Sequence, residues 1–145
     1  MTEIPKYLQF EENYENLAIK GLAKVNLYGV NARYSEELSD QKIQVIFENS
    51  GNLDEAILMQ GDYRKYTAYE GTMSFVIATN RANIRNHAEK LAKVRFIMLP
   101  ENELLKNEYY QILETKEESS NTEVSEELNS DVTVITFAIK YLVSG

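Results

Sequence analysis

The sequence predicts an α+β domain: a mainly antiparallel sheet of about five strands with two helices packed on it, in the order α-β-β-β-α-β-β. Three observations predict it. Apolar residues recur at steps of three and four over Phe10–Val25 and again after Asn80, the repeat of a helix with one buried side. Elsewhere apolar residues alternate, the repeat of a strand with one buried face. No internal repeat or linker divides the chain, and 145 residues are enough for one core, so 1–145 reads as a single domain.

The first helix places Phe10, Tyr14, Leu17, Ala18, Leu22 and Val25 on one side, with Ile19 opposite. Glu11, Glu12 and Glu15 near its start and Lys20 and Lys24 near its end match the helix dipole. Asn26–Tyr34 follows as a strand with Tyr28, Val30 and Ala32 on one side. Gln41–Glu48 is a second, with Ile43, Val45 and Phe47 on one face; Ile46 interrupts the polar back, so part of that back is expected to be covered. Asn49-Ser50-Gly51-Asn52 reads as a turn, and Leu53–Gln60 fits either a short helix or an edge segment.

A third strand over Tyr69–Thr79 gathers Met73, Phe75 and Ile77 on one face. Thr79-Asn80-Arg81 offers a polar cap to a second helix. Its stripe is Ile84, Ala88, Leu91, Ala92 and Met98, and its end is expected near Arg95. The last strands are Tyr109–Thr115 and Val132–Val143. In the second of these, Ile135, Phe137, Ile139, Tyr141 and Val143 alternate with a partly apolar back, which predicts a central strand or one packed on another subunit. Between them, 116–131 holds Glu117, Glu118, Glu123, Glu126, Glu127 and Asp131 against one lysine, and is expected to project as a long, mobile acidic hairpin.

Composition narrows the function classes. A net charge of −8 argues against general binding to nucleic-acid phosphates. No apolar stretch approaches the roughly 20 residues that span a bilayer, and Met1–Pro5 lacks the basic and apolar runs of a secretory signal. With no cysteine there is no thiolate nucleophile or zinc–thiolate site, which suits a reducing cytoplasm.

No phosphate-binding glycine loop or nucleophile elbow occurs, and no catalytic residue, cofactor or metal site is expected. His87, the single histidine, lacks a serine or acid at a telling spacing and reads as a structural or surface residue. The acidic hairpin lacks the Asp/Asn alternation and turn glycine of a calcium loop. Tyr63, Arg64, Tyr66 and Tyr69 have the residue types enriched at interface centres and form a candidate subunit interface, with Tyr69 also fitting a place on its own sheet.

The element order resembles the tail-terminator (tail-completion) proteins of long-tailed bacteriophages, over about Phe10 to Val143. The resemblance rests on the leading helix through Tyr14-Glu15-Asn16-Leu17-Ala18, on the strand Met73–Arg81 running into Asn86–Leu91, and on the closing strand Asp131–Tyr141. It implies a non-enzymatic virion protein, assembled in the host cytoplasm, whose copies form a ring, usually a hexamer. Such a ring caps the tail tube and joins it to neck or head-completion proteins. DNA passes through its lumen without specific binding, and no membrane is involved. Glu117, Glu118, Glu123, Glu126 and Glu127 would then line the channel or reach the tube, where acidic charge repels DNA phosphates. The alternatives are another head–tail joining or tail-tube subunit and, in a different class, a small-ligand-binding or enzymatic α+β domain.

Overall fold

A computed structural model describes residues 10–32, 37–52, 66–99 and 110–144. Along the chain it has α1 (Phe10–Lys24), β1 (Gly29–Asn31), β2 (Ile43–Asn52), β3 (Tyr66–Asn80), a 3-10 turn (Arg81–Asn83), α2 (Arg85–Ile97), β4 (Tyr110–Ser125) and β5 (Ser130–Ser144). The strands form one sheet in the order β1-β2-β3-β5-β4, antiparallel except for the parallel β1–β2 pair. The α+β class is as expected. The element order matches in part, because a 3-10 turn precedes α2 and the first strand pair is parallel.

One face of the sheet carries the core. Ile43, Val45 and Phe47 of β2, Met73, Phe75 and Ile77 of β3, and Ile135, Phe137, Ile139 and Tyr141 of β5 are all buried there. The helices cover them with Tyr14, Ala18 and Leu22 of α1 and Val94 and Ile97 of α2. Strand alternation and helical spacing thus meet in a single apolar layer. The opposite face carries Ile46, Ser74, Val76, Val134, Thr136 and Ala138, which are half-buried or exposed. Among the described residues no helix lies over it.

Aromatic rings tie three strands to α1. Tyr14 meets Phe47 edge-on at 5.3 Å, Phe47 meets Tyr141 at 5.8 Å, and Tyr141 stacks on Tyr69 at 5.6 Å. Phe47 and Tyr141 stand on strands separated by β3. The contact exists because Gly71 leaves a gap in β3: a Cβ there would lie 2.5 Å from Phe47 Cζ and 2.5 Å from the Glu48 carbonyl oxygen. A strand glycine here serves close approach rather than a bend.

The ends of α1 and β1 explain each other. Asn26 takes the left-handed conformation at φ 64. Leu27 N–H donates to the Leu22 carbonyl and Asn26 N–H to that of Ala23, which closes the helix in a Schellman motif. The strand expected over Asn26–Tyr34 therefore starts later: Leu27 and Tyr28 complete the helix exit, Tyr28 is 63% exposed, and among the described residues Gly29–Asn31 pair with β2. The parallel ladder continues with Ala32 N–H donating to the Val45 carbonyl and then stops. The next donor of β2, Phe47 N–H, is taken by the buried Glu15 carboxylate at 2.7 Å, whose other oxygen accepts from Asn31 Nδ2 at 3.0 Å. Glu15 thus supplies the backbone donor of Phe47 with its acceptor.

Other expectations need correcting. The expected turn at Asn49–Asn52 is strand, with a bulge between Asn49 and Gly51, because β3 starts at Tyr66 and supplies Gly71, Glu70 and Tyr69 as partners. Ile19 is not on a solvent side; it packs partly buried against the core beside Gly29. The stripe on α2 holds in part: Met98 is buried and Leu91 packs on the core as expected, but Ile84, Ala88 and Ala92 are exposed and His87, Val94 and Ile97 are buried instead. Two alanines offer little area, so the longer side chains set the phase. The acidic segment is a hairpin within the sheet, not a projection from it: 116–125 continues β4, paired with β5 up to Ser125↔Ser130. Leu53–Gln60 lies outside the described residues.

Gly71→Ala should cost about 1–3 kcal/mol through the collision with Phe47 and the Glu48 carbonyl, measured by urea denaturation. Glu15→Leu fills the same space but leaves the Phe47 N–H and the Asn31 amide without that acceptor, and should cost about 1–3 kcal/mol in the same assay.

Candidate functional site

The polar chemistry of the molecule concentrates at one end of the sheet, where β3 hands over to α2 and the β4–β5 hairpin turns. Asn80 pairs with Ser130, and Arg81 N–H donates to the Asn129 carbonyl, so the two chain reversals lie together. The expected cap is present but displaced. Asn80 Oδ1 accepts from Ala82 N–H and caps the 3-10 turn, while α2 itself starts at Ile84 with no side-chain cap.

His87 sits on the sheet side of α2, 9% exposed. Its Nδ1 lies 2.7 Å from Thr79 Oγ1 on β3 and its Nε2 lies 2.7 Å from Thr133 Oγ1 on β5. Thr133 Oγ1 is in turn 2.8 Å from Thr122 Oγ1 on β4. One neutral imidazole donates through one nitrogen and accepts through the other, and threonine hydroxyls serve either role. The chain Thr79–His87–Thr133–Thr122 therefore pins α2 to three strands with every ring nitrogen engaged. No acid or nucleophile takes part in it, which makes His87 a polar core residue.

Desolvation lowers the His87 pKa; Asp131 opposes that shift and Lys90 adds to it. Beside it, Lys90 Nζ donates to Asp40 Oδ1 at 3.0 Å, to the Asp40 carbonyl at 2.8 Å and to the Ala78 carbonyl at 3.2 Å. Asp40 Oδ2 accepts from Asn80 N–H and Asn83 Nδ2. Burial acts to raise the Asp40 pKa, but the Lys90, Asn80 and Asn83 hydrogen bonds and the Lys90 charge outweigh it and hold the carboxyl below its ordinary range. This cluster fastens the loop before β2 to α2 and β3. Its donors are spent on protein acceptors.

The described members of the expected interface and channel groups have the following places. Tyr69 is half-buried and stacked on Tyr141, so it belongs to its own sheet. Tyr66 opens β3 opposite Ser144, and Tyr63 and Arg64 lie outside the described residues. Glu117 on β4 accepts from Arg95 Nε at 2.8 Å, a contact to the end of α2. Glu118 lines a shallow concavity of about 450 Å³ on the open face, floored by Ala138 and ringed by Glu70, Glu114, Lys116 and Lys140. Glu123 is exposed opposite Val132, and Glu126 and Glu127 occupy the hairpin turn.

Sequence reasoning missed Glu15 and the threonines. Glu15 was legible as a helix-start acid, and its burial beside Tyr14 carried no separate signal. Thr79, Thr122 and Thr133 sit on three different strands, and only the sheet register brings them together.

Among the described residues no three His, Asp or Glu side chains are grouped to hold a metal ion, and no helix is long and apolar enough to cross a membrane. No family model matches the chain, and no curated protein matches it at a significant level.

Folding stability should fall with acid in two steps. His87 binds its proton more readily unfolded than folded, so its contribution is complete above about pH 6.5 and declines as pH drops from there toward its lowered folded pKa. Asp40, lowered likewise, contributes above its unfolded pKa and loses that contribution only at more acid pH. In urea titrations from pH 7.5 to 4.5, His87→Gln should remove the first step; an unchanged slope would assign that step elsewhere.

Proposed function

We propose that this chain is a non-enzymatic virion assembly protein of the tail-terminator type, whose copies close into a ring, taken as a hexamer, that caps a tail tube and joins it to neck proteins. The observation that carries the reading is a sheet face over which no helix lies among the described residues. Ile46, Val76, Val134 and Ala138 face away from both helices, and Val134 is 37% exposed in the middle of a central strand. This is the partly apolar back of the final strand, and a neighbouring copy is the partner that a ring supplies for it.

The two ends of the sheet are chemically unlike, as a heterologous contact that closes by rotation requires. At one end β4 exposes Glu114, Glu117, Glu118 and Glu123. At the other, α1 exposes Lys20 and Lys24 near β1, and Tyr28 stands in solvent. Opposite charges at opposite ends favour head-to-tail over like-to-like contact. The side chain with the most obvious catalytic chemistry, His87, is committed to threonines in the core. Acidic residues of the β4–β5 hairpin then face the lumen or the tube below, where they let DNA slide rather than adhere.

Size-exclusion chromatography with light scattering tests this on the full chain. A ring-sized species is expected, and Val134→Asp should reduce it to monomer while leaving the thermal transition nearly unchanged, because the site is on the open face. A chain that stays monomeric at every concentration, and whose melting temperature rises with a small ligand, would favour the ligand-binding alternative instead.

A further inference from the structure

We infer that the outer edge of β4 between Ser119 and Ser125 is a docking site for an extended, basic polypeptide strand of a partner protein, which would add to the sheet as a sixth strand. The inference stands on edge geometry and does not require the ring proposed above.

β4 is the terminal strand of the sheet, and among the described residues only β5 pairs with it. An edge strand presents backbone N–H and C=O groups to whatever lies alongside, and proteins usually blunt such edges with charges, bulges, proline or a covering element. β4 is blunted over only part of its length. Its two register shifts fall between Ile112 and Glu114 and between Glu117 and Ser119. Its lysine and its paired or clustered glutamates, Glu114, Lys116, Glu117 and Glu118, occupy the same stretch.

From Ser119 to Ser125 the ladder with β5 runs without a shift. The residues are Ser-Ser-Asn-Thr-Glu-Val-Ser, with no proline, no lysine and one glutamate. Every one of them is exposed except Ser125, which is half-buried. A regular run of that length matches a typical strand. It is also held rigidly from behind, because Thr122 hydrogen-bonds to Thr133 and Arg95 reaches Glu117 and Ser120. A pre-ordered edge lowers the ordering cost of adding a strand.

Charge selects the occupant. Glu117, Glu118, Glu123, Glu126 and Glu127 flank and punctuate the run with no base among them. A second copy of β4 would bring the same acidic residues to the contact, and like charges across a strand pair are unfavourable. The same edge attracts a strand carrying Lys or Arg. Main-chain hydrogen bonds would supply affinity, and cross-strand pairs to Glu118 and Glu123 the preference, the mode of recognition known as β-augmentation.

The test uses the full, isotope-labelled chain at a concentration where it is monomeric. The probe is a capped nine-residue peptide in which lysine alternates with threonine and valine. Amide shifts confined to Ser119–Ser125 and slower hydrogen exchange there are expected. Backbone N-methylation at alternate residues of the peptide should abolish binding, because it removes donors and leaves charge intact. The double variant Glu118→Lys, Glu123→Lys, on exposed positions that the fold does not use, should weaken binding roughly tenfold. Equal binding of the N-methylated peptide would reduce the effect to charge alone and overturn the inference. So would shifts that map to the open face, a folded chain that ignores the peptide, or a homodimer formed through β4.

Discussion

The register of β3 against β5 is the constraint on which the remainder of the structure depends. The two strands pair without interruption from Tyr66↔Ser144 to Asn80↔Ser130, so Met73 lies beside Phe137 and Phe75 beside Ile135 on the helix side. A slip of a single residue would exchange those side chains for Ser74, Val76, Thr136 and Ala138 and put Glu70 and Lys140 under α1. The same register decides the polar contacts: Thr79 and Thr133 reach His87 only because Ile77 pairs with Thr133. It also decides where Gly71 falls, and with it the gap through which Phe47 touches Tyr141. Apolar alternation fixes the register, and the register then assembles features that no local stretch contains.

Buried polar groups appear where regular structure leaves a backbone or side-chain group unpaired. Glu15 takes the Phe47 N–H at the point where β1 ends. Lys90 takes the Ala78 carbonyl and the carbonyl and Oδ1 of Asp40 beside the end of β3. His87 occupies the one place on the buried side of α2 that faces two threonines. Each would be costly if half-satisfied, and each has its partners. Their common effect is positional. Apolar contacts alone tolerate sliding, whereas three directional anchors hold both helices at one height on the sheet.

The sequence disclosed the fold class, both helices and the core strands because each has its own period over enough residues to be read. Met73, Phe75 and Ile77, and Ile135 to Tyr141, are buried as their alternation requires. It disclosed less where the signal depends on a neighbour. Asn49–Asn52 has turn composition but becomes strand because β3 is long enough to pair with it. The acidic stretch after Lys116 has the composition of a loop, yet β5 supplies a template for it and an edge strand tolerates charge. Of the α2 stripe, Leu91 and Met98 pack on the core as their spacing requires, but His87 and Val94 take the places expected of Ile84, Ala88 and Ala92, since a hydrogen-bonded histidine can displace alanine from a core. The site residues were the least legible: Tyr69 is taken up by Tyr141, and the threonines around His87 carry no sequence signal of their own.

The two edges of the sheet have been finished differently, and that asymmetry has a physical consequence. On the β1 side a buried carboxylate ends the ladder by occupying its next donor, so added strands find that position closed. On the β4 side nothing among the described residues plays such a part, and the last regular stretch consists of small polar residues. Acidic residues flank that edge, while the helices cover one face of the sheet. Among the described residues, the face turned away from the helices is partly apolar and the outer edge of β4 is polar and acidic. The proposed ring contact on that face and the proposed strand contact on that edge would use different atoms, so neither would exclude the other.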